Sequence, residues 1–172
     1  MQRADLGQQP DHASCDALGI LSDSHGQRGR VRRALELLHE RGVRRFVHLG
    51  DVGDGVLDDL AGLDVTIVFG NCDDACSCER YARDLGLHTV HPGGVVECGG
   101  KRIGLTHGHL VDELERLFLQ RVDYLLHGHT HQRSDAIVDN VRIINPGALH
   151  RATPCTVAIL TPATGTLETL VV

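Results

Sequence analysis

The chain has 172 residues, 41% of them hydrophobic, and a formal net charge of −6, which suits one domain with a sizeable core. That charge argues against a protein that coats nucleic acid, because phosphate-backbone binding needs a basic surface, although a small nucleotide stays compatible with it. No apolar run reaches the roughly 18 residues of a membrane span, and residues 1–16 lack the apolar stretch of a signal peptide, so a cytoplasmic protein with reduced thiols is expected.

Residues 1–16, rich in Gln, Asp and Ala without periodicity, read as a disordered leader before a single domain over 17–172. The first strand is expected at Ala17-Leu18-Gly19-Ile20-Leu21. Val31, Ala34, Leu35 and Leu38 then fall at helical spacing, which predicts a helix over 29–41 stopped by Gly42. Its other face, with Arg28, Arg30, Arg32, Arg33 and Arg41, reads as solvated. After the apolar run Phe46 to Gly50, Val56, Leu57 and Leu60 suggest a short helix ending near Gly62. A strand through Val65 to Phe69 follows, then a helix marked by Tyr81, Ala82 and Leu85 that ends at Gly86.

Hairpins are expected over 93–98 and 101–106 across Gly99-Gly100, over 134–139 and 141–145 at Asp139-Asn140, and over 155–160 and 166–172 around Pro162 and Gly165. Between the first two lie a helix over 110–120 and a strand over 123–127. The first half is thus expected to be mainly parallel and the second mainly antiparallel. That division predicts an α/β fold, a four-layer α-β-β-α sandwich of two mixed sheets flanked by helices.

Five apolar runs end on residue types that bind hard or borderline metals. The segments are Asp23-Ser24-His25, Gly50-Asp51, Gly70-Asn71-Cys72-Asp73, Thr106-His107-Gly108-His109 and Gly128-His129-Thr130-His131. In an α/β sheet, ligands collect beyond the carboxyl ends of the strands, so residues distant in sequence meet there. An extended Asp-x-His or His-x-His places both side chains on one face, able to grip one ion. A single histidine more often caps a turn or satisfies a carbonyl; Asp23, His25, Asp51, Asn71, His107, His129 and His131 together do not fit that account. Seven ligands exceed one tetrahedral zinc and fall short of two closed octahedra, which favours a binuclear centre with a shared carboxylate. Water bridging two cations about 3.5–4 Å apart loses a proton near neutral pH and becomes a nucleophile for phosphorus. The glycines before Asp51, Asn71 and His129 let the backbone approach closely. Cys72, Cys76 and Cys78 lack the second cysteine pair that a tetrahedral zinc set needs.

In this order, over about residues 17–150, the blocks resemble the signature of the calcineurin-like metallophosphoesterase superfamily. The wording Gly-Asn-Cys-Asp, Thr-His-Gly-His and Asn145-Pro146-Gly147, with the small size, is most similar to small single-domain prokaryotic phosphodiesterases of the YfcE type. The resemblance implies one metal on Asp23, His25, Asp51 and His131 and a second on Asp51, Asn71, His107 and His129, with Asp51 as the bridge. Asp51, Asn71 and His107 are the implied catalytic set, and His48, Cys72, Asp73 and His109 are candidates for supporting ligands or touching substrate. Many larger members carry histidine where this chain has Cys72, which leaves the general acid open.

The implied activity is a binuclear metal-dependent phosphohydrolase, a phosphodiesterase first, acting on a small phosphate ester or nucleotide with a metal-bridging hydroxide as nucleophile. Manganese is the first expectation for its two divalent ions, with iron, nickel, zinc or cobalt as alternatives. A phosphomonoesterase or cyclic-nucleotide phosphodiesterase on the same centre is an alternative, as is a non-catalytic scaffold like the retromer subunit of this fold. A scaffold has no physical reason to keep all seven metal-competent positions. Specificity is expected in rim loops such as 72–80 and 108–112.

Overall fold

A computed structural model describes residues 17–172; the expected leader lies outside the described residues. Three strands, β1 (Leu18–Leu21), β2 (Arg45–His48) and β3 (Asp64–Ile67), run parallel and alternate with α1 (Arg28–Glu40) and α2 (Val56–Leu60). Their near-continuous hydrophobic character follows from burial on both faces. Leu21, Phe46, Val65 and Ile67 face a core shared with Val31, Ala34, Leu35 and Leu38 of α1, whereas Leu18, Ile20 and Val47 face the opposite way. Helix α3 (Ala75–Asp84) then leads to β4 (His88–Thr89), which pairs parallel with β3.

The second sheet contains β5 (Gly93–Cys98), β6 (Lys101–Thr106), β7 (Tyr124–Leu126), β8 (Ser134–Val138) and β9 (Val141–Asn145), with α4 (Val111–Leu119) between β6 and β7. Its order is β5-β6-β7-β9-β8. The final hairpin, β10 (Thr156–Thr161) and β11 (Thr166–Val171), completes the first sheet in the order β11-β10-β1-β2-β3-β4. Ile103, Leu105, Leu126 and Ile144 meet Leu18, Ile20 and Val47 between the sheets, and Leu117 of α4 packs with Leu125 and Val141 on the far face. These three apolar layers produce the expected four-layer sandwich of two mixed sheets.

The division into a parallel half and an antiparallel half needs correction. β6, β7 and β9 are mutually parallel, while β10 pairs antiparallel with β1. Helix α4 is a crossover, which permits a parallel pair where a tight turn does not. The third helix begins earlier than its apolar pattern suggested, because the Asp74 carboxylate accepts from Ser77 N–H and caps it. Cys76 and Cys78 therefore lie on α3. β4 went unexpected because two residues carry no periodicity.

The arginine face of α1 is only partly solvated: Arg28 and Arg32 both pair with Asp59 of α2, and Arg30 donates to the Leu149 carbonyl. Among the described residues Cys72, Cys76, Cys78 and Cys155 are free thiols. No described helix is long and apolar enough to cross a membrane.

Candidate metal centre

Segments that follow β1, β2, β3, β6 and β7 converge at the carboxyl ends of these strands. Asp23, His25, Asp51, His129 and His131 all have left-handed backbones, with φ of 52°, 42°, 50°, 67° and 58°. An extended strand end, which sequence spacing suggested for Asp-x-His and His-x-His, is therefore not what aims these side chains. Such φ values are uncommon outside glycine, and their concentration here marks strained backbone held by its surroundings.

The donor atoms are close. His25 Nε2 lies 3.4 Å from Asp51 Oδ2 and 3.4 Å from His131 Nε2. His131 Nε2 lies 3.2 Å from Asp23 Oδ1, and His107 Nε2 lies 3.5 Å from Asp51 Oδ1 and 3.2 Å from Asn71 Oδ1. Three overlapping groups, Asp23-His25-His131, Asp23-Asp51-His107 and His25-Asp51-Cys72, each bring their ligand atoms within 4.8 Å of one another. His129 sits beside them, its ring centroid 5.2 Å from that of His107, and its N–H donates to Asp23 Oδ2.

Two observations show that these residues fit a cation. Asp23 is fully buried; its Oδ2 accepts from Ser22 Oγ and His129 backbone N–H, yet its Oδ1 makes no hydrogen bond and faces His131 Nε2. A buried carboxylate oxygen without a partner is costly unless positive charge meets it. His107 Nδ1 donates to the Leu49 carbonyl at 2.7 Å, which points Nε2 at the oxygens of Asn71 and Asp51. Burial lowers the pKa of His107, but the Asp51 carboxylate and the Leu49 carbonyl outweigh it and raise the pKa. A proton or a metal on Nε2 answers the same demand for positive charge. Burial likewise pushes Asp51 up but is outweighed by His107 and the Cys72 N–H, which hold it well below the usual carboxylate range.

Glycines admit the candidate ligand side chains. A Cβ on Gly70 would lie 2.2 Å from Asp51 Oδ1 and 2.8 Å from His107 Nε2, and one on Gly128 would lie 1.9 Å from Ser22 Oγ.

Of the four supporting candidates, two are struts. His48 is fully buried; its Nδ1 accepts from Gly50 N–H, its Nε2 bonds Ser24 Oγ at 2.8 Å, and Ser24 in turn donates to the Val52 carbonyl. This ties the Asp23-His25 turn to the Asp51 turn, and burial pushes the His48 pKa down to about 4. The Asp73 carboxylate accepts from Val52, Gly53 and Gly70 N–H, clamping the Asp51 and Asn71 loops together.

Cys72 stands at the centre itself, its thiol pKa raised by burial and by Asp51. His109 lies against His107, ring centroids 5.3 Å apart, with burial lowering its pKa. Sequence reasoning missed Ser24, although it lies inside the Asp-Ser-His block, and His150, whose ring centroid is 5.1 Å from that of His25. The Asn145-Pro146-Gly147 block also acts here: Asn145 Nδ2 donates to the Gly128 carbonyl and steadies the His129 turn.

Comparison with known proteins places these residues in context. The calcineurin-like phosphoesterase superfamily domain matches residues 17–165. Phosphodiesterase MJ0936 of Methanocaldococcus jannaschii is 31% identical over 136 residues, covering 76% of this chain and 82% of that protein. Phosphodiesterase YfcE of Escherichia coli K12 is 30% identical over 149 residues, covering 77% of this chain and 78% of that protein. The solved structure of an archaeal phosphodiesterase superposes with a TM-score of 0.80 at 26% identity, covering 91% of this chain and 99% of that one. Vps29 of Chaetomium thermophilum gives a TM-score of 0.65 at 18% identity, covering 91% of this chain and 96% of that one, a likeness of fold alone.

Proposed function

Because the chain belongs to the calcineurin-like phosphoesterase superfamily, we propose that it is a metal-dependent phosphodiesterase working at the cluster on these strand ends. The observation that carries this reading is the position of Asp51, whose Oδ2 faces His25 while its Oδ1 faces His107. One carboxylate turned toward two donor sets suits a bridge. We assign Asp23, His25, Asp51 and His131 to one divalent cation and Asp51, Asn71, His107 and His129 to a second, manganese being our first choice. Such cations supply Lewis acidity and an acidified water for attack on phosphorus.

The chain contributes position and rigidity. His48 with Ser24, and Asp73 with three N–H groups, hold the Asp23, Asp51 and Asn71 turns at fixed spacing, so little reorganisation accompanies reaction. The Leu49 carbonyl fixes the His107 tautomer. In the metal-free cluster burial and Asp51 raise the Cys72 pKa, and a thiol is a weak hydrogen-bond donor. It gives a departing alkoxide little assistance, so leaving-group acidity governs the rate.

Asp51→Asn tests the reading. Turnover of an aryl diester should fall by orders of magnitude, and metal analysis should find fewer than two ions per chain. Chelation of the parent protein should lower its melting temperature in step with metal removal. Retention of two ions and a parental rate in Asp51→Asn would sink the bridging assignment. A panel of diesters, monoesters and cyclic nucleotides reads the substrate class directly; a dominant monoester rate would replace the diesterase reading. The Vps29 likeness does not favour a scaffold, because the donor set here is intact.

A further inference from the structure

Next to the centre, on the His131 side, lies a cleft of about 540 Å3 lined by segment 130–133 and segment 151–154. His131 belongs to both the cleft and the donor cluster, so the two are contiguous. No Asp or Glu lines it, in a chain of net charge −6. Instead it presents Arg133 and Arg151, both exposed. Among the described residues neither guanidinium has a carboxylate partner, a state they share with Arg30, Arg44, Arg80, Arg83, Arg102 and Arg121 but not with Arg28, Arg32, Arg116 or Arg142.

The cleft is anchored to the centre. Leu149 N–H donates to the Ser22 carbonyl beside Asp23, and its own carbonyl accepts from Arg30. Arg151, two residues on, has a φ of 49°, a conformation that a non-glycine residue keeps where its surroundings impose it. On the other wall, Thr130 Oγ1 accepts from Gln132 N–H and Asn145 Nδ2, which leaves its hydroxyl proton free to donate.

We propose that this cleft is a subsite for a second phosphate, carried by a group esterified to the scissile phosphorus, and that Arg133 and Arg151 set the preference for such substrates. Two unpaired guanidinium forks match the charge and the geometry of a phosphate dianion. The same centre would then favour diesters of phosphorylated alcohols, such as nucleotide diesters bearing a further phosphate, over diesters with neutral arms. The inference rests on the phosphodiesterase reading, but binding at the subsite is measurable without turnover.

The test uses the metal-loaded protein with thymidine 5′-(p-nitrophenyl phosphate), with and without a 3′-phosphate. KM should be about tenfold lower for the 3′-phosphorylated ester, the size expected of charge-assisted contacts at a solvated site. The double variant Arg133→Gln, Arg151→Gln should erase that difference. A merely structural role would shift both KM values alike and leave their ratio unchanged. Equal KM values in the parent, or a ratio that survives in the double variant, would overturn the proposal. If the parent cleaves neither ester, the phosphodiesterase reading fails, and calorimetry decides the subsite. Thymidine 3′,5′-bisphosphate should bind the parent about tenfold more tightly than thymidine 5′-phosphate and lose that advantage in the double variant. Equal affinities in the parent would refute the subsite.

Discussion

Removal of the Asp73 carboxylate should damage the centre although Asp73 binds no substrate in this account. Its two oxygens receive Val52 N–H at 2.9 and 3.1 Å, Gly53 N–H at 3.2 Å and Gly70 N–H at 2.9 Å. Val52 and Gly70 are buried, and in Asp73→Ala their N–H groups lose the carboxylate that accepts from them. Leaving two such donors unpaired costs roughly 3 to 6 kcal/mol, each donor to a charged acceptor counting about 1.5–3 kcal/mol, and the weaker Gly53 contact adds to it. Val52 follows Asp51 and Gly70 precedes Asn71, so relaxation of the clamp moves both; misplacement by about 1 Å costs on the order of 100-fold in rate. Asp73→Asn keeps one acceptor oxygen but turns an amide NH2 toward donors, and should fall between parent and Asp73→Ala. Urea unfolding in chelator reads the stability change apart from metal binding, and aryl-diester turnover in saturating metal reads the rate. If Asp73→Ala unfolded within about 0.5 kcal/mol of the parent and turned over at the parental rate, the clamp would have no energetic role.

Three further outcomes follow from named contacts. Because burial holds the His48 pKa near 4, below its unfolded value, the unfolded chain takes up the proton first as pH falls. Stability should therefore drop between about pH 6.5 and pH 4, by up to about 3 kcal/mol, and be fully present above that window. His48→Gln should flatten this part of the stability-pH curve measured by denaturant titration; an unchanged slope would assign it to other groups. Gly70→Ala sets a Cβ 2.6 Å from Asp51 N as well as against its carboxylate, so it should cost about 1–3 kcal/mol by overpacking and weaken metal affinity in equilibrium dialysis. Single-turnover rates across a series of diesters should rise steeply with leaving-group acidity, and Cys72→Ser should change them little. A flat series with a large loss in Cys72→Ser would show that the thiol takes part in proton transfer or positioning.

Much of this architecture is legible in local pattern. The helical spacing of Val31, Ala34, Leu35 and Leu38 located α1, and the Asp139-Asn140 pair located a hairpin whose two turn residues indeed have positive φ, 47° and 68°. The order of Asp-x-His, Gly-Asp, Gly-Asn, His and Gly-His-x-His put Asp23, His25, Asp51, Asn71, His107 and His131 at strand ends, and their donor atoms lie near one another because the carboxyl ends of neighbouring parallel strands share one edge.

Partner choice and side-chain aim belong to the tertiary structure. Alternation encodes which face of a strand is buried but not which strand lies beside it, so the return of β10 to β1 and the parallel β6-β7-β9 set were decided by packing of distant segments. The left-handed backbones at Asp23, His25, Asp51, His129 and His131 were also invisible, since only the surrounding loops make such conformations tolerable. The same limit separates candidate ligand from strut. His48 and Asp73 have the chemistry of metal ligands, and what makes them struts is that their polar atoms are already engaged, with Ser24 and Gly50 in one case and with three backbone N–H groups in the other. Residue type set which atoms can bind a cation; the fold decided which of them were left without another partner.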